Sequence, residues 1–286
     1  MPTSHPTGDL DPFFVVDWTP LTAADDLTAD QRVTTYWDVE AGHRGPDPVP
    51  SWVVQDSGAI DTELGVLKTG KEADVFLVER SASTPGTDAS CLLAAKRYRD
   101  ADHRSFHRSA VYAEGRGVRR SRDQRALARG TAYGRAVAAG RWAQAEWEAM
   151  CHAWEAGVHV PYPVSLEGTE LLMEFVGEPS GAAAPRLAQV RGDHGLLVHL
   201  WEQTRDVVLG LAEAGWAHGD LSAYNLLVQG ETLVVIDLPQ VVDLVANPQG
   251  AALLHRDCAN VARWFTQHGV AADGEELFAE AVVLGF

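Results

Sequence analysis

Apolar and polar residues alternate along "GAIDTELGVLKTGKEADVFLVER" (58–80), the pattern of two half-buried strands joined by the turn "KTGKEA" at 68–73. "SASTPGTDAS" (81–90) reads as a loop, and "CLLAAKRYR" (91–99) as a third strand that carries Lys96. The period then changes. In "RAVAAGRWAQAEWEAMCHAWEAG" (135–157), Trp142, Ala145, Ala149 and Ala153 recur at helical spacing and Gly157 supplies the stop. Pro161 and Pro163 break the chain before "TELLMEFVGEP" (169–179), a strand running into a loop. "DHGLLVHLWEQTRDVVLGLAEAG" (193–215) is an amphipathic helix ending at Gly215. "LLV" (226–228) pairs with the "LVV" around 234, and two helices, "PQGAALLHRDCANVARWFTQHG" and "DGEELFAEAVV", close the chain. Small strands and one helix come first and a mostly helical half follows. That segregation predicts an α+β chain of two lobes rather than alternating βαβ units.

Composition narrows the setting. The chain has 286 residues, enough for two lobes with substantial cores, and 46% are hydrophobic. The first fifty residues are rich in Pro, Asp and Thr and predict an extended or weakly helical arm, with regular structure beginning around Trp52. No apolar run is long enough to predict a membrane span, and "MPTSHPTGDLDPFF" does not have the pattern of a secretory signal. Cys91, Cys151 and Cys258 are scattered and lack metal-ligand spacing, which fits core residues in a reducing cytoplasm. The net charge of −17 argues against a nucleic-acid-binding surface over the whole molecule. The charge is uneven, however. Between Arg97 and Arg141 twelve arginines face four acids, and "EGRGVRRSRDQRALARG" within that stretch is poor in large apolar residues. It reads either as a solvated loop or as a contact surface for an acidic partner such as RNA.

The candidate chemistry lies in "WAHGDLSAYNLLV" (216–228) and "VVIDLPQ" (234–240). Phosphoryl transfer needs metal ligands, a cation on the phosphates, a base or orienter for the attacking hydroxyl, and positioning. Asp237 follows an apolar strand and Asn225 precedes one. If those strands pair, the two side chains converge as oxygen ligands for Mg²⁺. Asp220, five residues before Asn225, can face an entering hydroxyl as a general base. Lys96 on its strand would place an ammonium on the phosphates, with Glu146 or Glu148 on the following helix to hold it. The turn offers Thr69, Gly70 and Lys71, with backbone N–H groups, to phosphate. Each piece alone has an ordinary use: Lys96 as a surface lysine, Glu146 as a solvated helix charge, "HGD" as a capping turn. Their order along the chain is that of a kinase-like fold.

These segments resemble the RIO family of atypical serine/threonine protein kinases. "TGKEADVF" is similar to its phosphate-binding turn, "RWAQAEW" to the start of its regulatory helix, and "LLMEFVGE" to its hinge. "HGDLSAYNLLV" resembles its catalytic loop, "VIDLPQ" its metal strand and "LLHRDCANVARWF" its closing helix. The likeness covers about residues 50–286. "RDCANV" resembles the type 1 branch, whereas "DLPQ" looks closer to type 2. The resemblance implies Lys96 on the ATP phosphates with Glu146, rather than Glu148, as its ion-pair partner. It implies Glu174 and Val176 as hinge residues for adenine, Asp220 as catalytic base, and Asn225 and Asp237 on Mg²⁺ (or Mn²⁺). It also implies that Asp237 becomes transiently phosphorylated in an ATPase-like cycle. Gly219 stands where ordinary protein kinases carry an arginine that pairs with a phosphorylated activation loop, and no Ala-Pro-Glu sequence follows Asp237.

The expected organisation is an extension over 1–50, an N-lobe over 51–175 with a basic loop at about 101–134, and a C-lobe over 176–286 without an activation loop. The expected function is a Mg²⁺-ATP-dependent serine/threonine kinase that phosphorylates itself, with Ser105, Ser109 and Ser121 as candidate acceptors, or an unknown protein substrate. Two alternatives compete. One is a small-molecule kinase of the aminoglycoside or choline type, although only about forty residues lie between hinge and Asp220 for its helical insertion. The other is an ATP-gated assembly factor whose basic loop binds RNA, a ribosomal partner or another protein. The Ala/Arg/Asp-rich composition points to a high-GC bacterial source, so the ribosome-maturation role of archaeal and eukaryotic relatives is not carried over.

Overall fold

A computed structural model describes residues 27–83, 89–99 and 132–286, the side chains of 132–136 apart. The candidate acceptor serines and nearly all of the basic loop lie outside the described residues.

Six antiparallel strands form one sheet: β1 (Gln31–Val33), β2 (Ile60–Thr69), β3 (Ala73–Ser81), β4 (Ser90–Tyr98), β5 (Pro163–Glu167) and β6 (Glu170–Glu174), in the order β1-β2-β3-β4-β6-β5. The expected hairpin is present. Gly70 closes it, donating its N–H to the Ala73 carbonyl at 3.0 Å, and a Cβ there would lie 2.7 Å from that same oxygen. The strand period sorts β4 onto two faces. Cys91, Leu93 and Ala95 turn to an outer core with Tyr36, Val53, Val54 and Ala59. Ala94 and Tyr98 turn inward, to the core shared with the helices.

Two expectations are corrected. Regular structure is already present at Gln31, well before Trp52, because β1 pairs with β2 through Gln31↔Thr62 and Val33↔Ile60. Three residues are too few for a readable alternation, and the partner strand defines this one. The second correction concerns Pro163, which opens a strand rather than merely breaking the chain. As the first residue of an edge strand it owes no N–H to the sheet. The segment before Trp52 also covers this edge: Gly45 N–H reaches the Val164 carbonyl at 3.1 Å, and Leu166 N–H reaches that of His43 at 3.0 Å. The arm therefore protects both open edges of the sheet.

Helix α1 (Ala132–Glu155) buries Ala139, Ala143, Trp147, Met150 and Ala153 in the shared core. After the hinge that follows β6, the second lobe is built on α2 (His194–Glu213), α3 (Gly250–Gln267) and α4 (Gly274–Gly285). Asp193 caps α2 through the Leu196 N–H and Asp273 caps α4 through the N–H groups of Glu275 and Glu276. Two small antiparallel pairs complete it: the hairpin of β8 (Leu226–Gln229) with β9 (Thr232–Val235), and β7 (Trp216–Ala217) with β10 (Val242–Asp243). Only twelve residues separate Asp237 from α3, and β10 pins them to β7, so there is no activation loop.

Candidate active site

The site lies where the inner face of the sheet meets the β8–β9 pair. On β4, Lys96 follows the inward-facing Ala94 by two and so points into the cleft. Its ammonium lies 2.6 Å from Glu146 Oε1 on α1 and 2.8 Å from Asp237 Oδ1 beyond β9. Glu148 is exposed and accepts from Gln144 instead. Burial alone would lower the Lys96 pKa, but Asp237 and Glu146 outweigh it and hold the pKa well above the ordinary lysine value. Lys96 in turn pulls the Asp237 carboxyl down to about 2. The side chains are unequally exposed, with Glu146 at 1%, Lys96 at 12% and Asp237 at 41%. The inner end of the trio is closed and the Asp237 end is open.

The loop between β7 and β8 carries the rest. Leu226↔Val235 pairing continues through the Ile236 N–H to the Asn225 carbonyl at 3.0 Å, which sets Asn225 beside the approach to Asp237. The Asn225 amide donates Nδ2–H to the Asp220 carbonyl at 3.0 Å, which turns its Oδ1 away from that bond. Asp220 is exposed toward solvent. Gly219 has φ +83, a left-handed conformation that disfavours an arginine on backbone grounds alone. Asp237 is itself left-handed, at φ +69.

Several residues that matter here were not among those expected. Asp257 on α3, almost fully buried, accepts the N–H groups of Gly219 at 2.7 Å and Leu221 at 2.9 Å, the two residues flanking Asp220. Arg256 donates to the Gly219 carbonyl. The signal was available: Asp257 occupies an apolar-stripe position among Leu253, Leu254, Cys258, Val261 and Phe265. Tyr98, two residues beyond Lys96 on the same face, donates its hydroxyl to Glu146; burial and then Glu146 raise the phenol pKa well above its ordinary value. His218 lies against the Ile236 carbonyl at 3.1 Å.

At the hinge, the Glu174 N–H is committed to the Tyr162 carbonyl at 2.8 Å, and the Val176 carbonyl accepts from Ala184 at 3.0 Å. Thr69 and Lys71 are exposed at the hairpin end. The hairpin residues that sense the charged cluster are Lys68 and Glu72. Burial and then Asp237 raise the Glu72 pKa.

A curled antiparallel sheet, a helix supplying a carboxylate to a strand lysine, and an Asp–Asn loop beside a strand-end Asp define the protein-kinase-like class. A family model described as the RIO domain matches residues 86–277. The RIO-type serine/threonine-protein kinase Rio1 of Haloferax volcanii is 38% identical over 226 residues, 79% of this chain and 70% of that protein. Its namesake from Thermoplasma acidophilum is 32% identical over 136 residues, 48% of this chain and 69% of that protein. Among solved structures, the Rio2 kinase of Chaetomium thermophilum, in an ADP/Mg²⁺-phosphoaspartate complex, superposes with a TM-score of 0.56. It shares 21% identity over 78% of this chain and 62% of its own, a likeness of fold. The chain belongs to the RIO domain family.

Proposed function

We propose that this protein is a Mg²⁺-ATP-dependent atypical serine/threonine kinase of the RIO type. The observation that carries the reading is the Lys96 ammonium held between Glu146 and Asp237, with Asn225 tied to the backbone of Asp220. In this reading Lys96 binds the nucleotide phosphates and Glu146, steadied by Tyr98, keeps it in place. Thr69, Gly70 and Lys71 form the turn over the phosphates. Glu174 and Val176 line the adenine site and offer it hinge backbone groups. Asp220 orients and deprotonates the acceptor hydroxyl. Its exposure leaves it accessible to a protein substrate, or to a serine of the chain's own basic loop.

Asn225 and Asp237 supply the metal site. One amide oxygen, one carboxylate and phosphate oxygens suit Mg²⁺, which keeps few protein ligands, and Mn²⁺ would use the same set. Among the described residues no three His, Cys, Asp or Glu side chains form a rival metal cluster. Bound there, Mg²⁺ would neutralise the phosphates. The lobes divide at the hinge near residue 175, and the expected extension before residue 51 contributes β1 to the sheet of the first lobe.

A second reading is supported by the phosphoaspartate in the Chaetomium relative. In it Asp237 accepts the phosphoryl group and hydrolysis resets an ATP-gated switch, with RNA or a ribosomal component as partner of the basic loop. The test uses γ-labelled ATP. Acid-stable phosphoserine or phosphothreonine that disappears in Asp220→Asn, with ATP still bound, supports the kinase. Hydroxylamine-labile label lost in Asp237→Asn supports the switch. Equal labelling of wild type and Asp220→Asn would sink the kinase assignment.

A further inference from the structure

Lysine is scarce in this chain: Lys68, Lys71 and Lys96 are its three, against twenty arginines. All three fall between β2 and β4, around the cleft. Lys96 binds the carboxylates and Lys71 tops the turn; Lys68 is the third. Its direction is set by an irregularity in β2. The pairing with β3 steps from Val66↔Phe76 to Lys68↔Val75, leaving Leu67 as an extra residue. Val75 is itself opposite Lys96 on β4. Directly opposed residues of antiparallel strands share a face. The bulge therefore turns Lys68 to the cleft side, two strands from Lys96, or roughly 10 Å. In unbroken register Leu67 would take that place and Lys68 would face outward.

The opposite wall carries another cation. Arg186 donates to the Tyr224 carbonyl at 2.8 Å, one residue before Asn225. Lys68 feels the charges of Arg186, Asp237, Lys96 and Glu146, in keeping with the cleft-side direction that the strand pairing gives it. Desolvation and the like charge of Arg186 lower its pKa. A compact, strongly hydrated ammonium on a flexible stem suits a phosphate chain approached as a point charge.

We propose that Lys68 is a further phosphate-binding residue, placed by the β2 bulge over the phosphate chain of the nucleotide and opposite Arg186. The proposal rests on the ATP reading above. Its test is calorimetric titration of wild type, Lys68→Met and Lys68→Arg with ATP, ADP and adenosine in the presence of Mg²⁺. Lys68 is exposed, so these variants keep the fold. Lys68→Met is expected to weaken ATP and ADP about tenfold, as for loss of one charged hydrogen bond, and to leave adenosine within twofold. Lys68→Arg should retain most of the affinity. Equal ATP binding by wild type and Lys68→Met would overturn this proposal alone, as would an equal loss for adenosine. A wild type that binds no ATP would overturn it together with the nucleotide reading.

Discussion

The sheet carries a buried ion pair on each face, and the two are built differently. On the outer face Arg80 is 0% exposed and Asp61 2%. They lie opposite each other in register and are joined by two hydrogen bonds of 2.6 and 2.9 Å, with the guanidinium over the ring of Tyr36. Arg32 lies 3.9 Å from the same carboxylate, so two cations meet one anion, and the Arg80–Asp61 contact itself is sealed. On the inner face one lysine serves two carboxylates, one sealed in and one left open. This unbalanced trio retains a surplus negative charge at its exposed end. An enclosed acid already held by two arginines suits a role in holding strands; a trio with one open acid can accept another cation. The comparison separates a structural ion pair from a functional one by stoichiometry and exposure rather than by burial alone.

The largest effect should come from the inner face. Lys96→Met is expected to lower phosphotransfer by roughly a thousandfold, comparable to losing a preorganised charge at a transition state. Retained labelling in a single-turnover assay would erase the contrast. The outer pair should respond in stability instead. Asp61→Ala strands a buried guanidinium, a cost of about 3–5 kcal/mol. The melting temperature should fall by about 5–10 °C, while ATP affinity of the folded protein is kept. Replacing both partners, as in Asp61→Leu with Arg80→Met, should recover much of that loss. A double variant as unstable as the single one would show that the outer pair is more than a strand fastener.

Two smaller effects sharpen the contrast. Asp257→Ala leaves the N–H groups of Gly219 and Leu221 without their acceptor. Turnover should fall about tenfold to a hundredfold, with a smaller change in KM for ATP, since it positions Asp220 and does not touch nucleotide. A change confined to KM would refute that role. Glu174→Gln should have the smallest effect. Burial raises the Glu174 pKa above its unfolded value, so the charged form costs stability above that value and the cost disappears as pH falls through it. The variant should melt about 1–2 °C higher at pH 7 and no higher near pH 4. Asp237 has the opposite sign: its lowered pKa contributes stability above about pH 4, lost only as pH falls toward 2. An equal Glu174→Gln gain at both pH values would rule out charge burial as the cause.

Much of this was legible in the residue pattern. The β2–β3 hairpin, α1 to its glycine stop, α2 up to Gly215 and the β8–β9 pair follow from period and punctuation, because each is a local property. Lys96 and Asp237 were legible through order along the chain, which left Glu146 and Glu148 both open; the family resemblance singled out Glu146, the one that meets Lys96. What stayed hidden was non-local. Strand β1 exists only because β2 offers an edge, and Lys68 points into the cleft only because one residue bulges. Gly219 first reads as an arginine left out. Its positive φ gives a second, independent reason for the glycine. Asp257 could have been flagged as a charge inside an apolar stripe, but only the fold shows which N–H groups it meets.

The confinement of lysine to the cleft has a practical consequence. In most proteins an amine-acylating reagent modifies many surface positions and reports little about any one. Here every side-chain amine lies on β2, β4 or the turn between β2 and β3. Acylation read by mass spectrometry, or cleavage by a lysine-specific protease, would therefore act as a built-in footprint of that one region. Any molecule seated there should announce itself by the amines it shields, with no label having to be engineered.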